Sequence, residues 1–354
     1  MPQTIGYAAN KAGASLEKFT FDRRNVGAHD IAIDILFCGI CHSDLHQINN
    51  DWGVSQYPMV PGHEIIGRIT AIGDQVSEFS VGEMAGVGCM VDSCQQCQSC
   101  KHHEEQFCES GSTQTYNSKD KHLDSVTYGG YSKQMVVNQN FVLHVPESLD
   151  PAAAAPLLCA GITTYSPLKR ARVTQKSEVG VIGLGGLGHM AVKLAHAMGA
   201  CVTVFTTSAN KVDEAKRLGA THVVLSTDSK AMQSRENQYD FILNTVSAKH
   251  DINPYLNLLK HDGQFTQVGL PTEPMDVSMF PMVFKRLSVS GSLIGGIKET
   301  QDMLNFCAEH QITSDIELIQ ADEINSALER LKQGDVKYRF VIDMSSLSQL
   351  KVHD

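Results

Sequence analysis

The sequence predicts an α/β fold in two parts, a barrel-like β domain followed by a doubly wound parallel sheet. Three observations predict it. Up to about residue 150 the chain is a series of short apolar segments separated by glycine and turn residues. From Glu178 onward strand and helix textures alternate, as parallel βαβ units require. The run Gly183-Leu-Gly-Gly-Leu-Gly188 stands at the first strand-to-helix junction of that alternating part. With 354 residues, the chain is long enough for two domains, possibly three, at roughly 150 residues per domain. Its 42% apolar and 19% charged content fits sizeable cores and argues against disorder.

In the first part, Ile31–Phe37, Ile65–Ile72 and Tyr131–Val137 read as strands, with turns at Gly73-Asp74 and Val81-Gly82-Glu83. The texture changes near Asp150, where Pro151-Ala-Ala-Ala-Ala155 opens a helix-favouring segment running toward Tyr165. Val179–Ile182 is the next strand and Leu187–Met198 a helix. Val202–Phe205 follows as a strand and Ala209–Leu218 as a helix. Val223–Leu225, Tyr239–Leu243, Gln264–Val268 and Leu287–Ser290 continue the strand series. In the tail, Ile324, Ala327, Leu328 and Leu331 have helical spacing, Gly334 suits a C-terminal cap, and Tyr338–Ile342 reads as a last strand.

Lys plus Arg is 29 and Asp plus Glu 39, a net charge of −10. No stretch is dense in Lys and Arg, so the composition argues against a partner with a phosphate backbone while leaving room for a local basic pocket. No basic start followed by an apolar run marks the N-terminus, and no 18-residue apolar stretch is uninterrupted. The expectation is a cytoplasmic protein with neither nucleic-acid nor membrane partner.

The ten cysteines are unevenly placed. Cys94, Cys97, Cys100 and Cys108 follow C-x2-C-x2-C-x7-C, and four thiolates so spaced can close a tetrahedron around Zn²⁺ with no open position. In a reducing compartment such a cluster marks a structural metal site rather than cross-links. In the glycine turn, Gly183 allows the tight bend, Gly185 lets a pyrophosphate approach the backbone, and Gly188 lets helix and strand pack closely. Leu184, Gly186 and Leu187 complete the loop that faces the anion. An NAD site usually carries an acidic residue at the end of the next strand, roughly 20 residues on. Here Thr206, Thr207 and Ser208 stand there, followed by Lys211, so a 2′-phosphate meets hydroxyls and a cation. The expectation is NADP(H) over NAD(H).

Several motifs occur in one order. They are Gly39-Ile-Cys41-His-Ser-Asp-Leu-His46, Tyr57-Pro-Met-Val-Pro-Gly-His-Glu64, the four-cysteine run, Cys159-Ala-Gly-Ile-Thr-Thr-Tyr165 and the glycine turn. Together they resemble the zinc-dependent medium-chain alcohol dehydrogenases. Lys298-Glu-Thr-Gln301 and Tyr338-Arg-Phe-Val341 narrow the resemblance to cinnamyl alcohol dehydrogenases and broad-range NADPH-dependent aldehyde reductases. The resemblance implies a GroES-like catalytic domain of residues 1–152 and 295–354 holding both zinc sites, and a Rossmann dinucleotide-binding domain of residues 153–294.

It further implies catalytic zinc ligands at Cys41, His63 and Cys159. This Cys2His set with one open position is the general example for alcohol dehydrogenase rather than something worked out from spacing. Glu64 is implied as a neighbouring carboxylate or occasional ligand, Asp44 as a carboxylate near the zinc that orients His63 or its neighbours, and Ser43 with His46 as a proton relay. Further cofactor contacts are implied at Ser43, Thr163, Thr245, Gly269, Ser292, Leu293 and Ile294, and a weaker one at His42. Trp52, Tyr57, Met90 and Ile294 are candidate pocket walls, whereas Cys38, Cys89, Cys201 and Cys307 read as packing residues, Cys89 with the alternative of bordering the cleft. The implied reaction is hydride exchange between NADP(H) and aromatic or medium-chain aldehydes and primary alcohols, in a homodimer with two zinc ions per chain. The competing readings are an NAD-dependent polyol or simple alcohol dehydrogenase and a non-catalytic zinc- or nucleic-acid-binding module.

Overall fold

The computed structural model describes residues 1–347. The chain divides into two compact units, residues 1–159 with 295 onward, and residues 160–294. The sequence places the first change of unit after residue 152; the structure keeps 153–159 with the first unit. The reason lies in the segment expected to form one helix toward Tyr165. Asp150 caps a short helix, Pro151–Ala154, by accepting from Ala153 N at 2.8 Å. Pro156 then tightens the chain into a 3-10 turn, Ala155–Leu158, and the long helix starts only at Ala160. Cys159 lies at the break.

In the first unit, seven strands form one sheet. Along its main path the order is Ile316–Gln320, Arg339–Asp343, Asp30–Gly39, Ile65–Ile72, Met84–Val87 and Leu143–His144, with Gln134–Asn138 also paired to Asp30–Gly39. All pairings are antiparallel except the first. Ile31, Ile33 and Ile35 alternate into the core from the central strand. Tyr131 and Ser132 lie before the strand expected at 131–137, in a segment pinned by Arg23, whose guanidinium donates to the carbonyls of Tyr128, Gly129 and Gln134 and to Ser132 Oγ. The helix Ile297–Glu309 begins at Gly296, where a Cβ would come within 1.8 Å of the His103 carbonyl, and Glu105 accepts from Ile297 N at 3.0 Å.

The second unit is a six-stranded, all-parallel sheet. In chain order its strands are Glu178–Ile182, Cys201–Thr206, His222–Leu225, Tyr239–Asn244, Leu259–Gln267 and Ser288–Gly291; in space they run third, second, first, fourth, fifth, sixth. This order reverses direction beside the first strand, the switch point where such sheets bind ligands. Ile182, Phe205, Ile242 and Phe265 form the core on the sheet, with Tyr239 and Tyr255 set edge-on to Phe205. The segment expected as one helix at 209–218 is a 3-10 turn, Ala209–Lys211, and a helix, Val212–Arg217. The fifth strand starts five residues before the expected Gln264, because half-buried Lys260 and exposed His261 and Asp262 hide it from an apolar pattern. Among the described residues, no helix is long and apolar enough to cross a membrane.

Candidate active site

Three backbone devices bring the first cluster together. Cys41 ends a loop just before the helix His42–Asn49, and Asp44 on its first turn accepts from Cys41 N at 2.9 Å, half of a capping box. Gly62, at φ +103°, precedes His63; any side chain there would strike Tyr131 and Cys38, so glycine is required. Cys159 enters from the break before Ala160. One ligand atom each from Cys41, His63, Glu64 and Cys159 lies within 4.8 Å of the others, and all four residues are buried.

This donor set fits zinc. A Zn–S distance of about 2.3 Å implies an S···S edge of about 3.8 Å in a tetrahedron, and Cys41 Sγ and Cys159 Sγ are 3.9 Å apart. His63 Nδ1 hydrogen-bonds Asp44 Oδ1 at 3.1 Å, leaving Nε2 free to ligate. Glu64 Oε2 is buried without a partner, as expected of a group reaching a cation. Its other oxygen accepts from Arg339 Nη2, both side chains being almost fully buried. Burial pushes the Glu64 carboxyl up to about 7 against the pull of the Arg339 charge. Gly39 makes room for it, since a Cβ there would overlap the carboxylate.

The ligand atoms of Cys94, Cys97, Cys100 and Cys108 form a second such group, with Cys94 and Cys100 Sγ 3.9 Å apart. Main-chain amides of Gln96 and Cys97 bring the Cys94 thiol down to about 6, in favour of the thiolate a metal needs. Four sulfurs leave no position for substrate, so this group is structural in kind.

In the second unit the glycine turn joins the first strand to the helix Gly188–Ala197. A Cβ at Gly188 would approach Gly183 O to 2.2 Å, whereas at Gly185 it would meet nothing within 4 Å, leaving a bare concavity for a phosphate. Lys211 Nζ reaches back to Leu184 O at 3.0 Å, and Ser208 N donates to Thr206 Oγ1 at 3.2 Å. The chemistry suits a dinucleotide bearing an additional phosphate.

Comparison with known proteins identifies the family. Residues 27–147 match the alcohol dehydrogenase GroES-like domain family and residues 186–309 the zinc-binding dehydrogenase family. NADP-dependent alcohol dehydrogenase C 1 of Mycolicibacterium smegmatis is 51% identical over 98% of this chain and 99% of its own. Aldehyde reductase YahK of Escherichia coli is 51% identical over 96% and 98%. A cinnamyl alcohol dehydrogenase structure from Sorghum bicolor superposes with a TM-score of 0.95 at 45% identity, covering 99% of both chains. The chain belongs to the zinc-dependent medium-chain alcohol dehydrogenases. Within that family it stands in the cinnamyl alcohol dehydrogenase and aldehyde reductase branch.

The remaining expected positions of this alcohol dehydrogenase fall as follows. Ser43 Oγ is 3.7 Å from Cys41 Sγ. His46 lies one turn further along the same helix; its Nδ1 hydrogen-bonds Asp51 Oδ2 at 2.7 Å and its ring leans on Trp52. Cys89 Sγ is 3.7 Å from Leu158 O, next to Cys159. Met90 is buried, and Tyr57 donates its hydroxyl to Ile48 O at 2.9 Å. In the second unit, Thr163 is buried in the helix Ala160–Arg170. Thr245 Oγ1 donates to Ile182 O at 2.7 Å, beside the glycine turn. Gly269 is packed on Val246 O too closely for a side chain, Ser292 N donates to Gln267 O, Leu293 is exposed, and Ile294 has φ +37°.

Three residues at or behind the site escaped the sequence reading. Arg339 carried a signal, a basic residue heading the apolar run Phe340-Val-Ile342. Asp51 and Tyr131 carried none, because their partners His46 and Asp44 are reached through loops of no characteristic spacing.

Proposed function

We propose that this alcohol dehydrogenase works mainly as an NADPH-dependent aldehyde reductase, interconverting aromatic or medium-chain aldehydes and primary alcohols. The observation that carries the reading is the buried Cys41, His63, Cys159 group with Glu64 as its fourth, exchangeable member. When bound, zinc supplies a Lewis acid that polarises the carbonyl oxygen and the reduced nicotinamide supplies the hydride. The chain's residues do the rest. Two thiolates at Cys41 and Cys159 offset the cation's charge, so the site suits a neutral substrate. Asp44 holds the His63 ring through Nδ1. Ser43 Oγ stands beside Cys41 to give a proton to the developing alkoxide, and His46, oriented by Asp51 on a half-exposed loop, exchanges protons with solvent. Leu184 to Gly188 cradle the pyrophosphate, and Thr206, Thr207, Ser208 and Lys211 favour the 2′-phosphate.

A homodimer is supported by the second unit's surface. Met279, Phe280, Val283 and Phe284 on the helix Met279–Lys285 are 60–74% exposed, and Phe280 stacks on Phe284 at 4.3 Å. Ser288–Gly291 ends the sheet, leaving one edge of backbone groups without a neighbouring strand among the described residues. Such an apolar patch beside a free edge suits a second copy of the chain. A Phe284→Glu variant that stays dimeric in light scattering would count against this face. Ten free cysteines, eight of them in the two metal groups or buried, support a reducing, cytoplasmic location.

The deciding experiment follows NADPH and NADH oxidation with benzaldehyde, cinnamaldehyde and straight-chain aldehydes, with metal analysis. Two zinc ions per chain and a preference for NADPH are expected. Cys159→Ser should hold one zinc and lose turnover; an active variant holding two would overturn the ligand assignment.

A further inference from the structure

Asp44 is fully buried and accepts four hydrogen bonds between 2.9 and 3.2 Å, with the buried Tyr116 hydroxyl also against it. Cys41 N at 2.9 Å and Tyr131 hydroxyl at 3.2 Å reach Oδ2; Gly62 N at 3.2 Å and His63 Nδ1 at 3.1 Å reach Oδ1. The two amides belong to the residues flanking or forming the metal site, so they move with it. The tyrosine is different. Its main chain has anchors of its own besides those to the His63 loop: Tyr7 N donates to Tyr131 O at 2.8 Å, while Tyr131 N donates to Pro61 O at 2.9 Å and Gly130 N to Gly62 O at 2.9 Å. Arg23 clamps the carbonyls on either side, at Tyr128, Gly129 and Gln134. The ring is wholly buried and packs on Gly62, where a Cβ would come within 2.6 Å of it. The hydroxyl is thus a fixed reference for the carboxylate.

We propose that Tyr131 is a positioning residue for the catalytic zinc ligand His63, acting through Asp44. The hydroxyl holds Oδ2, which sets the carboxylate plane; Oδ1 then fixes the His63 ring with Nδ1–H inward and Nε2 toward Cys41 and Cys159. Groups behind a metal-ligating histidine typically change metal affinity by 10- to 100-fold, and Tyr131, one step further back, falls at the lower end. The proposal rests on the reading of Cys41, His63 and Cys159 as zinc ligands.

The test uses the zinc-loaded enzyme and a colorimetric chelator, which resolves release from the two sites; the phase missing in Cys159→Ser belongs to the catalytic one. Tyr131→Phe is expected to speed that phase about tenfold and to leave the four-cysteine phase unchanged. In cobalt-substituted protein it is expected to shift the visible bands of the catalytic site. Asp44→Asn should speed release at least as much, and the double variant no more than Asp44→Asn alone, since the two act in series. A 3,5-difluorotyrosine at position 131, which keeps the hydroxyl as a stronger donor, should slow release, and it decides the matter if Tyr131→Phe does not fold. Unchanged catalytic-zinc release and cobalt bands in a folded variant, or additive effects in the cycle, would overturn the role of Tyr131. A wild-type enzyme holding one zinc would instead overturn the ligand reading.

Discussion

Lys211 Nζ donates to the main-chain carbonyl of Leu184 at 3.0 Å, tying the loop after the second strand to the glycine turn. The contact places a cation, partly desolvated by its neighbours, beside the loop proposed to hold the coenzyme phosphates. Two roles follow, a charge for the 2′-phosphate or a brace for the turn, and coenzyme kinetics separate them. Lys211→Met is expected to raise the KM for NADPH about tenfold, the worth of one charge-assisted hydrogen bond of about 1.5 kcal/mol, with the KM for NADH nearly unchanged. A brace would weaken both coenzymes alike.

The glycines of that turn are expected to fail in different ways. A methyl group at Gly188 would collide with Gly183 O, a backbone atom that cannot step aside, so Gly188→Ala should destabilise the second unit by about 1–3 kcal/mol through overpacking. At Gly185 the same methyl meets nothing. Gly185→Ala should therefore melt at the wild-type temperature without coenzyme yet bind NADPH at least tenfold more weakly, as measured by fluorescence titration. Equal melting temperatures for both variants would contradict the packing argument.

Acid sensitivity should trace in part to Asp30, at the start of the central strand of the first unit. Burial pushes its carboxyl up, but two bonds from Arg24, at 2.6 and 3.1 Å, and one from Gly27 N outweigh that and hold it below the ordinary value. A carboxyl lowered on folding stabilises above its unfolded value, near 4, and loses that contribution as pH falls through the folded one. Asp30→Asn is thus expected to cost about 1–3 kcal/mol at pH 7. The gap from wild type should close below about pH 4, read by urea unfolding at each pH. A gap independent of pH would show that the charge contributes nothing.

What the sequence made legible was whatever depends on local spacing. The strands at Ile65–Ile72 and Cys201–Thr206, the helix after the glycine turn and the four-cysteine group each sit within one short stretch, and each appears in the structure within a residue or two. The segment 151–165 misled, since four alanines favour helix while Pro156, directly after them, breaks it. The cluster of Cys41, His63 and Cys159 spans 118 residues, so its members became visible through resemblance, not periodicity. Tyr131 and Asp51 depend on tertiary approach alone; Arg339 stands out as a basic residue heading a strand, yet no local pattern announces that this strand, 275 residues from Glu64, will bring it a guanidinium.

That pair is the strongest stability test in the molecule. Glu64 and Arg339 are 0% and 3% exposed, and Arg339 Nε and Glu64 Oε2 have no other partner. Removing one member of a buried pair leaves the other charge unopposed and typically costs about 3–5 kcal/mol, whereas removing both costs far less. Arg339→Met should accordingly destabilise the metal-free protein, where no zinc opposes Glu64, by about that amount, measured by denaturant unfolding of the first unit. Adding Glu64→Gln should recover most of the loss, because the amide needs no counter-charge and its two oxygen and nitrogen positions fit the same space above Gly39. If the double variant is as unstable as Arg339→Met alone, the guanidinium acts by filling volume under the sheet rather than by neutralising the carboxylate.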